Sequence, residues 1–169
     1  MDVLTVLDLG SSSVVLRRAN ADDVPAIVAL LAADQLGATR DGVTTPEDLA
    51  GYQRAFGVID GDPAHALVVA ESGVVAESGP DIVATMQLSF IPGLARHGAL
   101  RAQIEAVRVH EAYRSRGLGA AMLNWAIAEA RRRDCALVQL TTDKSRTSAH
   151  RFYERLGFVA SHEGMKLAL

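Results

Sequence analysis

Ile104-Glu105-Ala106-Val107-Arg108-Val109-His110-Glu111-Ala112-Tyr113-Arg114-Ser115-Arg116-Gly117-Leu118-Gly119 passes from an apolar run through an arginine-rich turn into a pair of glycines. Its first six residues have the length and apolar content of a buried strand. After Gly117, the residues Leu118, Met122, Leu123, Ala126, Ile127 and Ala130 recur along one side of a helix that reaches Arg133. A strand entering a Gly-rich turn that opens a helix is an anion site, because the first N–H groups of the helix lack internal partners and carry the positive end of its dipole. Gly117 and Gly119 remove the Cβ atoms that would hold a diphosphate off this backbone, and Arg114 and Arg116 add charge. A Walker loop needs Gly-Lys-Ser/Thr where Gly119-Ala120-Ala121 stands. A Rossmann turn needs a third glycine at Met122 and an acid after the next strand, where Leu137-Val138-Gln139 offers none. Both nucleotide motifs are excluded, although a charged loop with a glycine helix start would also produce this turn alone.

Working outward, Ala136-Leu137-Val138-Gln139-Leu140 is apolar and too short for a helix, so strand, helix and strand form a βαβ crossover with a parallel pair. A last helix from Thr147 to Leu156 stops at Gly157, and Phe158-Val159-Ala160 with Met165-Lys166-Leu167 is expected to close the sheet as a hairpin. Upstream, Val14-Val15-Leu16-Arg17 reads as a strand, and Val24, Ile27, Val28 and Leu31 as a helix face with Asn20 as its cap. Thr45-Pro46-Glu47-Asp48 starts another helix, with a capping hydroxyl, proline where a missing N–H costs nothing, and acids in the first turn. Ala66–Ala70 and Ile82–Leu88 pair as a hairpin. Between these strands Val68-Val69-Ala70-Glu71-Ser72-Gly73 is repeated as Val74-Val75-Ala76-Glu77-Ser78-Gly79, too short for a solenoid and without evident chemistry. Residues 1–13 read as a loosely held N-terminal extension and residues 14–169 as one mixed α/β domain, with helices on both faces of the sheet.

With 169 residues, 49% apolar composition and no apolar run near about eighteen residues, the chain is expected to be soluble and to carry a sizeable core. A net charge of −3 argues against nucleic acid and anionic membrane as partners. Arg131-Arg132-Arg133 falls where a helix ends and suits its dipole. The N-terminus lacks the basic flank of a signal peptide, and a single cysteine, Cys135, fits a reducing compartment, so the cytoplasm is the expected location. His65, His97, His110, His150 and His162 are scattered without metal-ligand spacing, so no metal is expected.

The stretch from Ile104 to Gly119, resumed at Ala149-His150-Arg151-Phe152-Tyr153-Glu154-Arg155-Leu156-Gly157-Phe158, resembles the GNAT superfamily of N-acetyltransferases, whose signature is Gln/Arg-x-x-Gly-x-Gly/Ala after the central strand. The resemblance implies a six- to seven-stranded, mostly antiparallel sheet with a central splayed parallel pair, and acetyl-CoA as acetyl donor. It further implies that the amides of Ser115, Arg116, Gly117, Leu118, Gly119 and Ala120, with Arg114, hold the pyrophosphate of CoA. The backbone of Val107, Arg108 and Val109 would pair with the pantetheine arm, and an N–H near Val109 would face the thioester carbonyl. Many relatives have asparagine where this chain has Arg146, three residues before Ala149.

An amine must lose its proton before it attacks a thioester, which for a lysine-like group at pH 7 costs about 4.6 kcal/mol. Glu105 is the candidate base; in an alternating strand it is expected to share a face with Val107 and Val109, against the cofactor. Charge binding and structural pairing are its other readings. Tyr153 matches the family tyrosine that faces the CoA sulfur, although Ala149, Phe152, Tyr153 and Leu156 also have the spacing of a plain core face. The run around His150, together with Ser161-His162, resembles the aminoalkylphosphonate acetyltransferase branch, which would bring His150, His162 and Arg101 to an anionic substrate group. The expected acceptor is a small-molecule primary amine; a non-catalytic CoA-binding module and a longer acyl donor are the alternatives. Folds of this kind often form a homodimer, but no interface is legible here.

Overall fold

Six strands form one sheet in sequential order in the computed structural model, which describes residues 2–10, 12–34, 37–76 and 79–168. They are β1 (Val3–Asp8), β2 (Ser13–Arg18), β3 (His65–Ala76), β4 (Gly79–Pro92), β5 (Leu100–Val109) and β6 (Leu137–Leu140). Neighbours are antiparallel from β1 to β5, whereas β5 and β6 run parallel. Helices α1 (Val24–Ala32) and α2 (Pro46–Asp60) cover one face; the single turn α3 (Ala95–Gly98) joins β4 to β5; α4 (Leu118–Arg132) and α5 (Thr147–Arg155) lie on the other face.

Local chemistry fixes the helix starts. Thr45 accepts from the Asp48 N–H at 3.2 Å, while the Asp48 carboxylate takes the N–H groups of Thr44 and Thr45 and the Thr44 hydroxyl. The Thr44 hydroxyl, the Thr44 and Thr45 N–H groups and the Thr45 side chain together hold the Asp48 pKa down at about 2. Asn20 caps a 3-10 turn over Ala21–Asp23 that leads directly into α1. The main core fills the α4 face, where Leu16, Met86, Leu88, Ile104, Leu118, Met122 and Leu123 have at most 1% exposure. A smaller core of Val24, Ile27, Val28, Phe56 and Val69 seats α1 and α2 on the opposite face.

Three expectations are revised. The first residues are not loose: Val3–Asp8 pairs with Ser13–Arg17 as an edge strand, and Leu7 enters the main core. The C-terminal hairpin is absent among the described residues, since the chain after Gly157 has no strand and Val159, Met165 and Leu167 are exposed. The parallel pair therefore stands at the edge of the sheet rather than at its centre. The duplicated hexapeptide lies in β3 and the hairpin tip, with Glu77 and Ser78 outside the described residues.

Candidate active site

A bulge in β5 organises the site. Leu88 pairs with Ile104 and Gln87 with Glu105, but the next pairs are Thr85 with Arg108 and Ala84 with Val109, so two residues of β5 stand against Met86 alone. Ala106 takes up the extra length at φ 54°, in the left-handed region. That conformation costs an alanine roughly 1–2 kcal/mol, so neighbouring structure must hold it there. Cross-strand partners share a face. Ile104, Val107 and Val109 accordingly pack on the α4 side, while Glu105 and Arg108 join Gln87 and Thr85 on the α1–α2 side. Glu105 thus does not share the face of Val107 and Val109, because the bulge reverses the alternation between them. It is exposed on the opposite face.

The same strand has an open edge. Its pairing with β6 runs from Arg101–Leu137 to Ile104–Leu140 and ends, although β5 continues to Val109. His110 donates its N–H to Val83 on β4 at 2.8 Å, so by antiparallel alternation the Val109 N–H points to the other edge, into the gap beside β6. On that edge the carbonyls of Val107 and Val109 accept from Arg108 Nη1 at 2.8 Å and Arg114 Nε at 3.0 Å.

Beyond β5 the turn is built as an anion cradle. Ser115 (φ 61°) and Gly117 (φ 84°) are left-handed, and Gly117 is the N-cap of α4 with no side chain to occupy the first amides. Leu118, Gly119 and Ala120 follow with no preceding helical carbonyl to accept their N–H groups. A groove of about 510 Å³ opens here, lined by Val107, Val109, Arg114, Ser115, Gly117, Gly119 and Ala120. A Cβ on Gly119 would enter it, 3.5 Å from Phe152 Cζ and 3.8 Å from Val109 Cγ2. Three other cofactor-site candidates, expected to act through their backbone, keep their side chains out of the groove lining. The Leu118 side chain is in the core, Arg116 lies over the Tyr113 ring at 5.8 Å, and the Arg108 side chain is on the far face of the sheet. The groove wall also uses Tyr113, Phe152, Arg155 and Leu156, which the motif did not name; the 152, 155, 156 spacing at the end of α5 was the signal for the last three, and Tyr113 had none beyond its place before Arg114.

Tyr153 packs between Phe152 and Phe158, with ring centroids at 5.2 and 5.9 Å. Burial pushes its pKa up, and the charges of Arg146 and Arg108 partly oppose that rise, so the phenol keeps its proton at neutral pH. These two arginines meet at a residue the sequence reading overlooked, Asp34, just after α1. Arg146 donates to Asp34 Oδ1, and Arg108 Nη2 stands 3.6 Å from Oδ2. Among the described residues, Asp34 Oδ2 and Arg108 Nε are buried without a hydrogen-bond partner. Burial lowers the Arg108 pKa, Asp34 counteracts this, and Arg146 and Arg40 add to the lowering.

His150 and His162 are held elsewhere, by the Asp143 carbonyl at 3.0 Å and the Ser161 hydroxyl at 2.8 Å. Arg101 is at the start of β5, about 25 Å along the strand from Val109. Among the described residues no three His, Cys, Asp or Glu side chains are grouped to hold a metal, and no helix is long and apolar enough to cross a membrane.

Comparison with known proteins agrees with this geometry. Residues 37–158 match the model of the acetyltransferase (GNAT) family. The crystal structure of a transcriptional regulator from Bacillus halodurans is 43% identical, over 92% of this chain and 99% of that one, with a TM-score of 0.83. An acetyltransferase from Trypanosoma brucei is 26% identical over 91% and 98% of the two chains, with a TM-score of 0.70. The aminoalkylphosphonate N-acetyltransferase of Salmonella typhimurium is 38% identical over 60 residues, a match spanning 36% of this chain and 39% of that enzyme.

Proposed function

The chain belongs to the acetyltransferase (GNAT) family, whose members use acetyl-CoA as acetyl donor, and we propose that it acetylates the primary amine of a small molecule. The observation that carries this reading is the open edge of β5 beyond Ile104, with a directed Val109 N–H, running into a groove that ends at the bare amides of α4. Bound acetyl-CoA supplies an activated acyl carbon and a thiol leaving group. The residues present suit it: the glycine floor admits a diphosphate, Arg114 and Arg155 offset its charge, and the Val107–Val109 edge can take an extended amide chain. Val109 N–H is the proposed donor to the reacting carbonyl, an interaction worth roughly 3 kcal/mol in enzymes of known energetics.

The donor groove lies on the α4 face and Glu105 on the α1–α2 face, so the amine is proposed to arrive from the latter and meet the donor at the gap beside β6. Glu105 accepts the amine's proton, directly or through water, and Tyr153 hydrogen-bonds the departing sulfur. Its raised pKa keeps the phenol a donor across the neutral range. A small acceptor is favoured by the N-acetyltransferase with which the chain shares 38% identity over 60 residues.

The description of the Bacillus halodurans relative as a transcriptional regulator supports a second reading, a CoA-binding module without turnover. Thiol release from acetyl-CoA across an amine panel separates the two. The enzyme reading expects turnover that falls at least tenfold in Glu105→Gln and Tyr153→Phe. Saturable CoA binding with no thiol release from any amine would establish the module instead.

A further inference from the structure

Arg108, on the α1–α2 side of the gap, has a charge that is only partly met by its neighbours. On the α1–α2 face of β5 it follows directly after Glu105, because the bulged Ala106 and the inward Val107 intervene only on the other side. Its side chain is 14% exposed, and its donors are unevenly employed. Nη1 is committed to the Val107 carbonyl at 2.8 Å, Nη2 faces Asp34 at 3.6 Å, and Nε is buried and unpaired. Arg146 binds the other oxygen of the same carboxylate, so two guanidiniums share one negative charge and the trio carries a net positive charge. The neighbouring Arg40 is already paired with Asp41 at 3.3 Å and leaves that balance unchanged.

A buried guanidinium edge with an unmet N–H and surplus positive charge is suited to a two-oxygen anion, which a guanidinium receives through parallel N–H bonds. We infer that Arg108 and Arg146 form a receptor for an anionic group, carboxylate, phosphate or phosphonate, on the amine acceptor, and that this group takes up the buried, unpaired Nε–H of Arg108 beside Asp34. This rests on the proposal that the acceptor enters from the α1–α2 face. It also explains the position of Glu105: with the anion held one step along the same strand face, the amine at the other end of a short molecule lies at the carboxylate and the gap. Selectivity then follows from the distance between the two ends of the acceptor. Arg146, at the position where many relatives carry asparagine, acquires a role in acceptor binding.

The test measures kcat/KM for matched amines in the full-length protein: 3-aminopropylphosphonate, 4-aminobutyrate and neutral butylamine, each with acetyl-CoA. The expected result is a preference of at least tenfold for one or both anionic amines, with the anionic-to-neutral ratio falling at least tenfold in Arg108→Gln and in Arg146→Gln. Calorimetry with methylphosphonate and with acetate provides a readout independent of turnover and distinguishes the two anion types. Anion binding that is lost in the variants while no amine is acetylated would retain the site and remove the enzyme reading. Equal kcat/KM for charged and neutral amines overturns the proposal. So does an anionic preference that both variants keep or, without turnover, the absence of binding by either anion. Circular dichroism confirms that each variant is folded, and Arg146→Gln provides a second route should Arg108→Gln unfold.

Discussion

Arg17 and Arg108 both reach into the face of the sheet covered by α1 and α2, and both stand among carboxylates, yet the protein treats them in opposite ways. Arg17 has all three guanidinium nitrogens engaged: Nε on Glu71 at 2.5 Å, Nη1 and Nη2 on the two oxygens of Asp23 at 2.7 and 2.8 Å, and Nη1 also on the Arg18 carbonyl. One cation is matched by two carboxylates, and the Asp23 hydrogen bonds lift the Arg17 pKa well above its ordinary value despite burial. At Arg108 the ratio is inverted, with two cations on one carboxylate and an unpaired atom on each side of the contact. A completed cluster fixes β2, β3 and the entry to α1 to one another. An incomplete one is tolerated where a ligand can finish it. The contrast is one of satisfaction rather than burial, since both side chains are largely out of solvent.

The comparison breaks first at Arg17. Arg17→Met strands two buried carboxylates and is expected to cost about 3–5 kcal/mol, a large part of the 5–15 kcal/mol typical of a domain, read as a lower denaturant midpoint. Next is the acid limb. Burial would raise the Asp23 pKa, but hydrogen bonds from Arg17 and the Asn20 N–H outweigh it, leaving the carboxyl below its ordinary 3.8. A depressed folded pKa contributes stability that is whole above the unfolded value and disappears as pH falls through the folded one. Urea midpoints should therefore hold level above about pH 5, fall below pH 4, and fall less steeply in Asp23→Asn. A double-mutant cycle then contrasts the pairs directly: coupling of about 2–3 kcal/mol for Arg17 with Asp23, and under about 1 kcal/mol for Arg108 with Asp34. The smallest effect is Arg108→Met, expected to change stability by less than about 1 kcal/mol in either direction, because an unpaired buried N–H leaves with the charge. A loss as large as that of Arg17→Met would make Arg108 a structural residue and erase the distinction.

Elements written in short-range chemistry were legible before any coordinates. The Thr45-Pro46-Glu47-Asp48 cap, the periodic face of α4 and the glycine turn at Gly117 each depend on residues within a few positions of one another, and each lies where expected. Features that depend on distant partners were not. Strand character at Val159 and Met165 needs an edge to pair with, and no local pattern supplies one. The Asp34–Arg146 contact joins residues 112 positions apart, and a shared counterion leaves no periodic trace. The resemblance implied a bulge in the central strand, but the residue that carries it was hidden for a subtler reason. A left-handed residue is usually announced by glycine, but here it is alanine, so simple alternation was carried through Ala106 and assigned Glu105 to the wrong side of the sheet.

That alanine also decides which changes of chain length the fold can absorb. Removing Ala106 would leave Ile104, Val107 and Val109 on the α4 face and Glu105 and Arg108 on the other, because the bulged residue is the one the alternation skips. Keeping the length but forcing residue 106 into extended backbone, as Ala106→Ile would tend to do, turns Val107 and Val109 outward and Arg108 into the groove. In this chain a one-residue deletion is thus the gentler change and a bulkier side chain the severe one. When related chains are compared, position 106 is the natural home for a gap.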